Sequence, residues 1–132
     1  FRFFNVYGPR LNMSGQYSAV FGNFFFLLRT NKPLTIVGDG KQTRDFIHVD
    51  DLTNAFIKVA KSNLVNKIYN LGSGKETSIN KIANLFGGKK TFIPKRPREP
   101  KRSLANISKI KKDINWKPAI TIQEGVKRLL KN

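Results

Sequence analysis

Hydrophobic and polar positions follow a period that changes along the chain, and each change predicts a new element. Phe1 to Val6 is aromatic and β-branched and stops at Tyr7-Gly8-Pro9, which predicts a short buried strand running into a loop. A polar loop follows from Arg10 to Tyr17. Ser18 then offers an N-cap for a helix to about Thr30, with Val20, Phe24, Leu27 and Leu28 on its apolar side and Pro33 marking its end. Leu34 to Val37 reads as a strand, closed by Gly38-Asp39-Gly40, a tight turn requiring positive φ. Thr43 to His48 is a second extended segment. Asp50 or Asp51 is placed to cap a helix to about Ser62, in which Leu52, Ala55, Phe56, Val59 and Ala60 recur at helical spacing.

The second half repeats this alternation. Lys67 to Leu71 predicts a strand, Gly72-Ser73-Gly74 a turn, and Ser78 the cap of a helix bearing Ile79, Ile82, Ala83, Leu85 and Phe86 until Gly87-Gly88. Thr91 to Ile93 is extended, and three prolines keep the basic stretch Pro94 to Pro100 out of any helix. Ser108 to Ile114 predicts a short helix, Trp116-Lys117-Pro118 a break, and Thr121-Ile122-Gln123-Glu124 a capping box that opens a last helix to Leu130. The pattern is α/β: about four to five helices and a few strands, too few and too short for a complete doubly wound sheet.

Length and charge narrow the partners. With 132 residues the chain holds at most one compact domain. It opens on Phe1, already inside a strand, so the expectation is a piece of a longer parent. Lys and Arg number 25 against 8 acidic residues, a net charge of +17, much of it in Lys89 to Arg102 and Lys109 to Lys117. Such a field attracts nucleic acid, anionic surfaces or phosphorylated ligands, though solvated lysines account for it equally well. The absence of cysteine rules out disulfides and thiolate metal sites, and fits a cytoplasmic home. No apolar run approaches the length of a membrane span, so no membrane partner is expected.

Several chemistries fail on residue type or spacing. His48 is the one histidine, which excludes a multi-histidine metal site, and Asp39, Asp45, Asp50 and Asp51 fit no calcium loop, so turn and cap roles suit them better. No serine is arranged as a nucleophile with a recognisable base. Gly72-Ser73-Gly74-Lys75-Glu76-Thr77 follows a strand and precedes a helix, as a dinucleotide loop would. It lacks the third glycine, and also the Lys-Ser or Lys-Thr pair of a P-loop, so a structural turn is expected.

The ordered strings Phe1-Arg2-Phe3-Phe4-Asn5-Val6-Tyr7-Gly8-Pro9-Arg10, Tyr17-Ser18-Ala19-Val20, Leu34 to Gly40, Gln42 to Asp51, Tyr69 to Gly74, Arg96-Pro97 and Ser103-Leu104-Ala105 resemble successive segments of extended short-chain dehydrogenases. The resemblance is to the nucleotide-sugar epimerase and dehydratase family, close to UDP-glucose 4-epimerases, and covers nearly the whole chain. It implies that residues 1–132 are the carboxyl-terminal substrate-binding portion of a Rossmann-type enzyme, with the NAD-binding domain absent. It implies a homodimeric parent that uses NAD and a tyrosine and lysine separated by three residues. Tyr7 and Tyr69 have no lysine four positions on, and Tyr17 has Phe21 there, so no catalytic residue is expected in this chain.

What the resemblance implies for binding is specific. Arg44 and Arg96 would grip the pyrophosphate, for which the planar guanidinium fork is well suited. Asn5 would contact the diphosphate and sugar region, Glu99 the ribose hydroxyls, and Ala19, Val20, Thr35, Ile36 and Val37 would line the base. Two departures stand out: Arg98 replaces the family's usual glycine before the acidic residue, and Gly22 replaces a common proline, which would loosen the first helix. Dehydratase or reductase chemistry stays open within the family. Outside it remain a basic nucleic-acid-binding module, for which no motif or evident stacking platform is present, and a piece that merely self-associates through bared apolar surface.

Overall fold

The computed structural model describes residues 1–13 and 19–131. The opening aromatic run forms two strands where one was expected: β1 (Arg2–Phe3) and β2 (Asn5–Tyr7). They pair with different partners, and Phe1 and Phe3 remain 46% and 54% exposed, packed on Phe56 at the surface, so this segment is buried only from Tyr7. Helix α1 (Val20–Arg29) buries Phe21, Gly22 and Phe24, while Val20, Leu27 and Leu28 pack half-buried at the margin. The expected Ser18 cap lies outside the described residues; Ala19 holds the cap position and caps with no side chain. Gly22 does not loosen α1: a Cβ there would stand 2.2 Å from the Asn12 carbonyl oxygen, so glycine admits the loop backbone.

Strands β3 (Leu34–Val37) and β4 (Thr43–His48) keep their expected bounds, joined by a turn in which Gly38 and Gly40 take φ of 63° and 70°. Helix α2 (Val49–Ala60) is capped by neither aspartate. The His48 side chain accepts the Asp50 N–H, and Asp51, buried, takes the N–H groups of Ala119 and Ile120 instead. The expected strand from Lys67 shrinks to β5 (Asn70–Leu71), and β6 (Glu76–Ser78), which no alternation announces, precedes α3 (Ile79–Phe86) with Ser78 as its cap. β7 (Lys90–Ile93), α4 (Ser108–Ile114) and α5 (Ile122–Lys131) complete the chain. The capping box is half made: Thr121 accepts the Glu124 N–H, but the Glu124 carboxylate turns to Arg128.

The strands form three small ladders: β1 parallel to β5, β3 parallel to β7, and β4 between parallel β2 and antiparallel β6. β4 divides two cores. Phe46 joins Phe21, Phe24, Ile36, Ile82 and Val126 on one side, whereas the next residue, Ile47, joins Ala55, Leu71, Ile110 and Trp116 on the other, as the two-residue period of a strand requires. Trp116, at the expected break, is fully buried, and its Nε1 is the one buried side-chain nitrogen or oxygen without a hydrogen bond among the described residues.

Asp45, on β4, is wholly buried. Its Oδ1 accepts from Ser73 N and Oγ at 2.6 Å each, and its Oδ2 from Gly74 N at 2.9 Å and Ala105 N at 3.1 Å. The carboxylate replaces lost hydration with four fixed donors from two distant segments. Gly72 makes room for it: a Cβ there would lie 2.7 Å from Oδ2. Asp45→Ala is therefore expected to cost about 3–5 kcal/mol by taking the acceptor from three N–H groups, that of Ala105 buried, read as a lower urea midpoint. A midpoint equal to wild type would refute this.

Burial pushes the His48 imidazole below its ordinary 6.5. The unfolded chain therefore takes up a proton near pH 6.5 that the native state refuses until lower pH, and stability present above about pH 6.5 falls as pH drops. The urea midpoint is expected to decline from about pH 7 to pH 5.5, with a flatter slope in His48→Asn, which keeps a capping side chain. An unaltered slope in that variant would assign the loss to other groups.

Candidate functional site

Two segments with little secondary structure of their own meet on one side of β4. The first is the turn between β3 and β4. Asp39 accepts the Lys41 N–H through its side chain and the Asn80 amide through its carbonyl, and the Gln42 amide donates to the Val37 carbonyl at 2.9 Å. The second is the basic stretch after β7, which Thr43 holds by two backbone hydrogen bonds, its N–H to the Lys101 carbonyl and its carbonyl from the Ser103 N–H. Since Ser103 to Ala105 is in turn anchored on Asp45, the loop is clamped at its carboxyl end to the strand beneath the turn.

Between them lies a cavity of about 450 Å³, within the range of a small-molecule site. Val37, Gln42 and Thr43 form its floor, Lys41, Lys95, Lys101 and Arg102 give it positive charge, and Glu76 and Glu99 are its carboxylates besides Asp39. Both glutamates are already paired. Arg102 binds Glu76 with two N–H groups, and with the Thr43 hydroxyl it holds that carboxyl down at about 2. Glu99 Oε1 accepts from Arg44 at 3.0 Å.

The residues named from the sequence separate into groups. Arg44 and Glu99 are brought together, and the Arg44 guanidinium, 14% exposed, also donates to the carbonyls of Thr43 and Pro100, so it braces the loop from behind the cavity wall. Arg96 stands exposed on the loop with no hydrogen bond or ion pair among the described residues. Asn5 lies beside β4 and spends one amide N–H on the Asp45 carbonyl at 2.8 Å. Val37 lines the cavity; Thr35 is half-buried; the Ile36 side chain is fully buried in the first core, which leaves main-chain atoms for any ligand. Val20 packs against that core, and exposed Ala19 starts α1. Arg98 adopts φ of 58°, the left-handed region that glycine enters freely, so the turn keeps its shape at a cost of roughly 1 kcal/mol for the bulkier residue.

Sequence reasoning missed Lys41, Gln42, Lys95, Lys101, Arg102 and Glu76 as cavity residues. The charge run at Lys89 to Arg102 and the Gln42-Thr43 pair before Arg44 were visible signals, but neither says which side chains turn inward.

No described tyrosine is poised for acid-base work. Burial raises the Tyr7 phenol, and burial with the hydrogen bond to Asp113 pushes Tyr69 up to about 12. The turn Gly72 to Gly74 does not fit a dinucleotide either, because the Ser73 and Gly74 N–H groups that would face a pyrophosphate are given to Asp45. Among the described residues no group of three or more acidic or histidine side chains could hold a metal. Among the described residues no helix is long and apolar enough to cross a membrane.

Comparison with known proteins converges on one group. The chain is 37% identical to UDP-glucuronate 4-epimerase of Thermodesulfobacterium geofontis over 96% of its own length and 40% of the relative's. It is 31% identical to UDP-glucuronic acid decarboxylase 1 of Arabidopsis thaliana over 98% of its length and 30% of the relative's. The fold superposes on UDP-glucose 4-epimerase from Thermotoga maritima, solved with UDP-glucose, with a TM-score of 0.90 and 28% identity, over 98% of this chain and 43% of that one. The chain thus spans less than half the length of these relatives. The sequence profile of the NAD dependent epimerase/dehydratase family matches residues 1–72, which cover β1 to β5, and the chain belongs to that family.

Proposed function

We propose that this chain is the nucleotide-sugar-binding portion of an NAD-dependent epimerase resembling UDP-glucose 4-epimerase, and that the parent binds NAD through residues outside this sequence. The observation that carries the reading is the cavity between the β3–β4 turn and the basic loop, with Glu99 in its wall and Arg44 holding Glu99 from behind. UDP-glucose is the ligand named for the Thermotoga structure, and it needs a slot for a flat base, acceptors for ribose hydroxyls and cations for two phosphates. Val37 and the Gln42 amide supply the slot. Glu99 keeps Oε2 for a hydroxyl while Arg44 holds Oε1, and the flexible Lys41, Lys95 and Lys101 with exposed Arg96 supply charge.

Arg44 acts in this scheme through position as well as charge. Its fork has five N–H groups, of which three are spent on Thr43, Pro100 and Glu99, so two remain for a phosphate oxygen. The same binding surface serves a decarboxylase or dehydratase of the family, since those reactions differ at the sugar ring and not at the nucleotide. The cofactor supplies hydride transfer; this chain's share is to fix the nucleotide so that the sugar is presented in one orientation.

In the complete protein, Arg44→Ala and Arg96→Ala are each expected to weaken UDP-glucose binding by about 1.5 to 3 kcal/mol, measured by calorimetric titration. Unchanged affinity in both variants would remove the site assignment. The purified 132-residue chain is expected to show no NAD-dependent epimerase turnover. Measurable epimerisation of UDP-glucose by that chain alone would overturn the division of labour.

A further inference from the structure

A carboxylate stands where a diphosphate would least favour one. Glu76, on β6, lines the cavity proposed for the nucleotide sugar, alongside Lys41, Lys95, Lys101 and Arg102. A fixed negative charge in that lining opposes phosphate binding unless it serves another end. Protonation does not remove the charge, because Arg102 and then the Thr43 hydroxyl hold the Glu76 carboxyl down at about 2.

What Glu76 does is visible in the register of β4 and β6. It stands opposite Asp45, so its side chain shares with Thr43 and Asp45 the face of the ladder on which Asp45 anchors Ala105, while Arg44 projects from the other face. Glu76 Oε1 accepts from the Thr43 hydroxyl at 2.8 Å and from Arg102 Nε at 2.9 Å, and Oε2 accepts from Arg102 Nη2 at 2.6 Å. Arg102 belongs to the basic loop and is 73% exposed. An arginine so placed swings freely by itself, but two parallel N–H bonds to one carboxylate fix both the position and the plane of its guanidinium. Four successive loop residues are thus held on β4 from both of its faces. Arg44 takes Glu99 and the Pro100 carbonyl, the Thr43 N–H takes the Lys101 carbonyl, and Glu76 takes the Arg102 side chain.

We propose that Glu76 is a positioning residue of the nucleotide cavity, which through Arg102 and Thr43 fixes the segment from Glu99 to Arg102 in the conformation that the ligand meets. The inference rests on the nucleotide-sugar reading of the cavity. Its sign is opposite to that of charge alone. If Glu76 acted only as a negative charge, losing it would free Arg102 for a phosphate and tighten the binding of an anion. As a positioning residue its loss lets Lys101 and Arg102 move, and the ligand must then order them at an entropic cost, so binding weakens.

The test uses the complete protein, titrated calorimetrically with UDP-glucose at constant ionic strength and assayed for UDP-glucose epimerisation. Glu76→Gln keeps the side-chain shape but removes the charge and sets an amide NH2 against the donors of Arg102 or Thr43. Its Kd and KM are expected to rise about threefold to fivefold with kcat unchanged. Arg102→Gln changes an exposed side chain without touching either core, and a rise at least as large is expected there. Glu124→Gln removes the same charge from α5 and is expected to leave Kd, KM and kcat at their wild-type values. Tighter or unaltered binding in Glu76→Gln, unaltered binding in Arg102→Gln, an equal loss in Glu124→Gln, or a loss confined to kcat would overturn this inference and leave the nucleotide reading in place. If the wild type takes up no UDP-glucose, the two fall together.

Discussion

One buried carboxylate organises this molecule. Asp45 carries charge into a place without water, and that is tolerable only because Ser73, Gly74 and Ala105 bring it four donors. Two segments separated from it by 28 and 60 residues are thereby tied to β4. The consequence reaches the cavity directly: with Ala105 fixed, Ser103 and Lys101 pair with Thr43, and the irregular loop is delivered against the β3–β4 turn. A loop with three prolines and six cationic or anionic side chains between Pro94 and Arg102 could not find that position through its own packing.

Much of the architecture was legible in the order of the residues, because local rules and tertiary needs agree there. β3, β4 and α4 have the expected bounds, and Gly38, Gly40, Ser78 and Thr121 play the expected local parts. Disagreements arise where a distant partner outbids the local one. Asp51 abandons the helix start for the backbone of Ala119 and Ile120, and His48 takes its place. Phe1 to Tyr7 breaks into two strands because β5 and β4 receive different parts of it. Nothing local to Glu76-Thr77-Ser78 announces a strand; the segment is extended because it lies along β4.

The site was legible in part for the same reason. Residue type told that Arg44 and Glu99 suit a nucleotide sugar, and family resemblance told where to look. Only the fold shows that the two side chains bind each other across 55 positions, and that Ile36 offers a ligand its backbone alone. The lysines around the cavity were visible as a charge run, whose inward members follow from the clamp at Thr43 and not from any pattern in the run.

The two cores on either side of β4 carry an evolutionary implication. Phe46 and Ile47 are neighbours in the chain but belong to different interiors, and Asp45 must meet its donors within a few tenths of an ångström. Inserting or deleting a single amino acid between Thr43 and His48 would exchange the two faces, send the carboxylate toward the aromatic side and leave both interiors mismatched. Diverging descendants of this chain can therefore change many identities in that strand but not its length. Gains and losses of residues should accumulate instead in the stretch after α2 and in the basic loop, so the nucleotide cavity can be remodelled while its foundation is held constant.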